Sequence, residues 1–106
     1  MAGAWMLVEQ EVSKFPLVDT DKLLLEGEVN CGSIFLHAEV KCKFTPSVYQ
    51  EFLEIWDELL EALVELGHIE VFSFIKKDEK IVKWQEMFGM HRLIEFDNHY
   101  LYRRIL

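Results

Sequence analysis

The sequence predicts a mixed α/β (α+β) fold, in which a largely antiparallel sheet is flanked by two helices. Apolar and polar residues alternate over 33–44, which is typical of a strand with one face against a core. From Val48 to Leu66 an apolar residue recurs every three or four positions, which is typical of a helix. Short strand-like segments lie on both sides of this helix. They predict one strand-helix-strand crossover in the middle of the chain.

A β-hairpin is predicted before the helix. Its strands are Leu23 to Asn30 and Ser33 to Phe44, and its turn lies around Cys31 and Gly32. We expect one face of the second strand to meet a core, because every second residue is apolar. These residues are Ile34, Leu36, Ala38, Val40, Cys42 and Phe44.

The first helix has predictable ends. Thr45 is the expected N-cap, Pro46 fits the first helical position, where a missing N–H costs nothing, and Gly67 is the expected stop. Burying each residue of its apolar stripe is worth roughly 1.5 to 3 kcal/mol, so this helix should be the main packing element. The stripe consists of Val48, Phe52, Ile55, Trp56, Leu59, Leu60, Leu63 and Leu66.

The rest of the chain predicts a strand, a helix and a second hairpin. The strand, Ile69 to Ile75, is almost continuously apolar, which predicts that both of its faces are covered. Asp78 is the expected cap of a helix from Glu79 to Phe88, and Gly89 should end it. Residues 91–106 read as a terminal hairpin.

Length and composition predict one domain over residues 1–106, with 1–22 as a poorly defined N-terminal segment. Within that segment 5–12 has the pattern of a strand and 14–21 that of a loop. No apolar run reaches the roughly 18 to 20 residues that span a bilayer. The N-terminus lacks the basic region of a signal peptide and reaches Glu9 early. We therefore expect a cytoplasmic protein.

Charge is the most unusual feature of the sequence. The net charge is −8, and residues 44–75 contain seven acidic residues and no Lys or Arg. Phosphate backbones and anionic membranes attract Lys and Arg, so neither nucleic acid nor a membrane is an expected direct partner. Six acidic residues of the first helix lie outside its apolar stripe: Glu51, Glu54, Asp57, Glu58, Glu61 and Glu65.

Two interpretations of this acidic helix are open. Like-charge neighbours three and four positions apart cost roughly 1 to 3 kcal/mol in total, a cost that a helix of mixed charge avoids. In the first interpretation burial outweighs the repulsion and the acids keep the protein soluble. In the second they form a docking surface for a basic protein, or mimic the charge of a nucleic acid.

The order of elements, together with the segment EKIVKWQEMFGM at 79–90, resembles the GNAT superfamily of N-acetyltransferases. The resemblance covers about residues 23–106 and is closest to the shortened acetyltransferase-like proteins of tailed bacteriophages. Gly89 and Met90 stand where Gly-Phe is usual. The resemblance implies a GNAT-like fold with a truncated N-terminal unit. It also implies a phage or mobile-element origin, as a virion component or an inhibitor of a host factor.

The cofactor loop departs from the family pattern. Active members have a Gln or Arg followed by a glycine-rich turn whose amides bind the pyrophosphate of acetyl-CoA, whereas this chain has FTPSVYQEF at 44–52. If acetyl-CoA binds, the resemblance places it on Thr45, Ser47 and Val48. The family's catalytic tyrosine falls on Gln85, which cannot act as an acid. We therefore expect no cofactor, and an active N-acetyltransferase with an atypical loop is the alternative.

Other chemistry is sparse in the sequence. Glu28 and Glu39, with Glu26, could serve as general bases on the first hairpin, although alternation alone explains them as a solvated sheet face. The four histidines have no helical spacing with a third ligand, so no metal site is predicted. A homo-oligomer is a further possibility, with four aromatic residues as expected exposed contacts: Trp5, Phe35, Phe72 and Tyr102.

Overall fold

Residues 14–106 are described by the structure, a computed structural model, and they contain six strands and two helices. They divide into two compact units, 14–42 and 43–106. The strand pairs within each unit are antiparallel, which confirms the predicted α+β class. The first unit holds β1 (Lys14–Asp19), β2 (Leu23–Asn30) and β3 (Ser33–Val40). The second holds α1 (Pro46–Glu65), β4 (Glu70–Lys76), α2 (Glu79–Met87), β5 (His91–Glu95) and β6 (His99–Ile105).

The hairpin β2–β3 forms as predicted at its turn and differs at its far end. Cys31 and Gly32 have φ of 54° and 80°, the positive values that a two-residue hairpin loop requires. The pairing runs from Asn30 opposite Ser33 to Leu23 opposite Val40. β3 therefore ends at Val40, and the prediction that it continues to Phe44 is wrong. Since β2 begins at Leu23, residues 41–44 have no partner left in that strand.

The prediction of a loop at 14–21 is wrong, because β1 pairs with β2 along 14–19. Two features hide this strand in the sequence. Pro16 interrupts the strand pattern, and the register shifts between Pro16 and Val18, as at a β-bulge. Gly27 lies opposite Phe15, and a Cβ there would lie 3.1 Å from both Phe15 and Leu17. The strand predicted at 5–12 lies outside the described residues.

Helix α1 begins and ends where its capping residues predict. The Thr45 hydroxyl accepts a hydrogen bond from the Val48 amide at 3.3 Å, and Pro46 is the first helical residue. At the other end Gly67 has φ of 94°, and the amides of Gly67 and His68 donate to carbonyls of the last turn, as in a Schellman motif.

The apolar stripe of α1 is confirmed except at its last residue. Leu66, the C-cap residue, is 76% exposed, so the prediction that it belongs to the stripe is wrong. The stripe is otherwise confirmed, with Phe52, Trp56, Leu60 and Leu63 buried and Val48, Ile55 and Leu59 half-buried.

Helix α2 is capped by Asp78, whose carboxylate accepts hydrogen bonds from Lys80 and Ile81 amides at 2.9 and 3.3 Å. The helix ends at Met87, one residue before the predicted end, and a second Schellman motif follows in which Gly89 has φ of 77°. The carbonyls at this end are bonded by side chains of other elements. The Trp56 indole donates to Phe88 at 2.9 Å and the Tyr49 hydroxyl donates to Met87 at 3.0 Å. These bonds hold α1 against the end of α2.

Strand β6 lies between β4 and β5 in the second unit, and the predicted terminal hairpin is confirmed. One face of β4 is buried at Val71, Ser73 and Ile75. The prediction that the other face is covered as well is wrong, because Phe74 is 46% exposed. Its ring contacts the rings of His99, at 4.6 Å, and Phe96, at 5.6 Å.

Three of the four aromatic residues expected as exposed contacts lie within the described residues. Tyr102 faces the core and is completely buried, so its prediction as a surface contact is wrong. Phe35 and Phe72 are half-buried, and Trp5 lies outside the described residues. Phe35 and Phe72 are therefore less exposed than the sequence predicted.

Candidate functional site

All six acidic residues predicted as a partner-binding surface are exposed on α1. They point outward because the apolar stripe of the same helix faces inward. We call this set the acidic face, and it consists of Glu51, Glu54, Asp57, Glu58, Glu61 and Glu65.

Five of the six residues of the acidic face have no counter-charge among the described residues. In the part of the chain that the structure describes, none of the five carboxylates from Glu54 to Glu65 lies within ion-pairing distance of a Lys, Arg or His side chain. The ion pairs lie on other elements, for example between Lys77 and Glu95 at 2.7 Å. The repulsion along α1 is therefore left uncompensated by these residues.

The positions of these acidic residues along α1 also do not stabilise the helix. Carboxylates stabilise a helix near its N-terminus, where the dipole is positive, and oppose it near the C-terminus. The first turn of α1 contains no acidic residue, and no basic residue occupies the last turn, which ends with Glu65. Helix stability therefore does not account for the acidic face.

A groove runs beside the C-terminal half of α1. We call it the α1–β6 groove, because its second wall is the end of β6 and the residue that follows. Its volume is about 630 Å³. Its apolar surface comes from Leu60 and Val64 of α1 and from Ile105 and Leu106. Four members of the acidic face border it, Asp57, Glu58, Glu61 and Glu65, and Arg104 is its single basic lining residue among those described.

Arg104 is held by a backbone contact. Its guanidinium donates to the carbonyl of Phe88 at 2.8 Å and packs against Gly89, where a Cβ would collide with it. The Arg104 side chain thus helps to close the C-terminal end of α2. It offsets at most one of the four negative charges along the groove.

The start of α1, where the resemblance places a cofactor, offers few free donors. Pro46 has no amide hydrogen, and the amide of Val48 is bonded to the Thr45 hydroxyl at 3.3 Å. The hydroxyls of Thr45 and Ser47 lie 3.2 Å apart and can bond each other. A diphosphate bound here would have to displace these local contacts.

The predicted general bases Glu28 and Glu39 lie on β2 and β3 of the first unit. Glu28 of β2 lies 3.6 Å from the imidazole of His37, and Glu39 of β3 is exposed beside Leu24 in the strand pairing. Gln85, at the family's tyrosine position, is 8% exposed in α2. The catalytic roles of Glu28 and Glu39 stay predictions.

Two side chains of the terminal hairpin, Arg92 and Glu95, have shifted pKa values. The neighbouring Lys77 ammonium lowers the pKa of Glu95, and a hydrogen bond with Tyr102 raises the pKa of Arg92. Among residues 14–106 no group of three His, Cys, Asp or Glu side chains is arranged to hold a metal ion. Arg92 also stacks on Tyr100, 3.9 Å from the ring centre, and stabilises this hairpin.

Comparisons with protein-family models, with curated proteins and with solved structures found no match to this chain. Neither of the helices in the described residues has the length and apolar character that crossing a membrane requires.

The sequence predicted the acidic face but not the groove beside it. Val64 and Ile105 expose 52% and 67% of their surface, and they come from elements far apart in the chain. The only signal in the sequence is that Val64 falls outside the apolar stripe of α1.

Proposed function

We propose that this protein works by binding a basic protein through the acidic face of α1. One observation carries the proposal: five exposed carboxylates on one helix have no ion-pair partner in the described chain. Their mutual repulsion is relieved when Lys or Arg side chains of a partner approach. Such complementarity speeds association and selects basic partners.

The position of the charges supports this proposal over a solubility role. Acids that serve only solubility can be spread over the surface, but these are concentrated on one element that contains no Lys or Arg. Glu65 also lies in the last turn of α1, where the helix dipole disfavours a carboxylate. A binding role gives a reason for both features.

Reversing charges on α1 should weaken binding to a defined basic probe. We expect the triple substitution Glu54→Lys, Asp57→Lys and Glu61→Lys to lower affinity for a helical peptide of Ala and Lys by about tenfold or more, because attraction becomes repulsion. Fluorescence anisotropy at low and at physiological salt measures the effect, and added salt should weaken only the native interaction.

A matched variant controls for net charge. Asp21, Glu79 and Asp97 are exposed acids outside α1, and reversing them changes the net charge by the same amount. Binding of the peptide should be nearly unchanged in this variant. Equal losses in the two variants would show a general charge effect and reject the acidic face as the site.

The proposal includes a descent from GNAT-like acetyltransferases without retained acetyl transfer. The start of α1 supports the loss of acetyl transfer, because Pro46 supplies no amide hydrogen for a pyrophosphate and the amide of Val48 is already bonded. As an origin we propose a phage or mobile element, and as a role a virion component or an inhibitor of a host factor in the cytoplasm.

Acetyl-CoA should leave the thermal stability of the protein unchanged. A ligand that binds only the folded state raises the melting temperature as its concentration passes the dissociation constant. Differential scanning fluorimetry with increasing acetyl-CoA, and with coenzyme A as a second ligand, measures this. A dose-dependent rise would instead favour the alternative, an active N-acetyltransferase with an atypical loop.

A further inference from the structure

The α1–β6 groove has an apolar interior and an acidic border. Leu60 is 8% exposed and lies at its base, whereas Val64 and Ile105 are 52% and 67% exposed along its walls. Apolar side chains that are open in this way gain from removal of their surface from water. The groove can therefore receive an apolar side chain.

The charges around the groove determine which kind of partner segment can supply that side chain. Asp57, Glu58, Glu61 and Glu65 line the groove, and Arg104 is bonded to the carbonyl of Phe88. The groove thus keeps an excess of negative charge directly beside its apolar walls. A complementary occupant presents an apolar residue flanked by Lys or Arg.

The same charges argue against a second copy of this chain in the groove. A two-fold contact places the same surface of each subunit against the other. The four carboxylates of one copy would then face the four of its partner across a buried contact. Like charges in such a contact are strongly unfavourable.

We propose that the α1–β6 groove binds an apolar side chain from a basic segment of a partner protein, while the flanking Lys or Arg residues pair with the acidic face. This inference rests on the proposed function and names the chemistry of the partner. Charge attracts the segment, and the groove selects those basic segments that carry an apolar anchor.

Two helical peptides of equal charge test the proposal, one of Leu and Lys and one of Ala and Lys. The native protein should bind the Leu-containing peptide about tenfold more tightly, as measured by fluorescence anisotropy. The double variant Val64→Ser and Ile105→Thr should remove most of this difference and leave the affinity for the Ala-containing peptide unchanged. Leu66→Ser is the control, because Leu66 is 76% exposed and does not line the groove.

The outcomes separate this inference from the proposed function. Equal affinities for the two peptides, or a Leu preference that survives in the double variant, would overturn the groove as the anchor site. The loss of binding in the α1 charge-reversal variant would still support the acidic face in that case. If light scattering shows a dimer that the double variant abolishes, the groove belongs to a second copy and the proposal is wrong. Val64→Ala, measured beside the double variant and checked by circular dichroism, should show a smaller loss of the same Leu preference.

Discussion

Replacing Trp56 with Ala is expected to lower the free energy of unfolding by about 3 to 5 kcal/mol, the largest effect of a single substitution that we expect. The Trp56 side chain is 8% exposed in the apolar stripe of α1. Its ring meets that of Phe88 edge to face at 6.1 Å, and its N–H donates to the Phe88 carbonyl at 2.9 Å. Truncation would leave a cavity between α1 and α2 and would remove this donor. Urea denaturation with linear extrapolation measures the change.

Two further variants separate the contributions of packing and hydrogen bonding. Trp56→Phe keeps an aromatic ring and should cost less than Trp56→Ala. Arg104 still donates to the Phe88 carbonyl at 2.8 Å, so the acceptor is not left without a partner. Leu66→Ala, at a position that is 76% exposed, should change stability by less than about 0.5 kcal/mol. A loss below about 1 kcal/mol for Trp56→Ala would contradict the buried position of Trp56.

Gly89→Ala should be the second most damaging change, with an expected loss of about 2 to 3 kcal/mol in the free energy of unfolding. Part of the loss is backbone strain, because φ is 77° and a left-handed residue with a Cβ costs about 1 to 2 kcal/mol. The rest comes from Arg104, because the new methyl group collides with its guanidinium and this mobile end of the side chain must move away. Displacing that group would weaken its bond to the Phe88 carbonyl, worth about 1 kcal/mol.

Gly67 provides the matched control for this prediction. It ends α1 in the same type of motif, with φ of 94°, but no atom lies within 4 Å of a Cβ built there. Gly67→Ala should therefore show the backbone cost alone, measured in the same urea series. In an Arg104→Ala background, Gly67→Ala and Gly89→Ala should lower the free energy of unfolding by nearly the same amount. If the two substitutions already cause equal losses in the native background, contact with Arg104 does not contribute to the effect of Gly89→Ala.

The sequence predicted best those features that depend on a few neighbouring residues. Thr45 and Asp78 begin the helices, and Gly67 and Gly89 follow their ends, because capping is local chemistry of side-chain acceptors and positive φ. The charge of the acidic face was equally visible, since outward positions follow from helical periodicity.

Features that depend on distant partners were missed. Strand β1 contains Pro16 and is completed by packing of Phe15 over Gly27, which no local pattern indicates. The groove is lined by both Val64 and Ile105, although these residues are 41 positions apart in the chain. The burial of Tyr102 likewise depends on its neighbours in the fold, because it sits in a segment with charged residues.

Among the described strands, β5 lies at the edge of the sheet beside β6, and it is exposed along its whole length, from His91 to Glu95. Its paired neighbour among the described strands is β6, and the register between them shifts between Arg92 and Ile94. Such a shift twists a strand and interrupts the even row of amides and carbonyls that an incoming chain would need. The irregular edge of β5 therefore opposes aggregation through strand pairing with another chain.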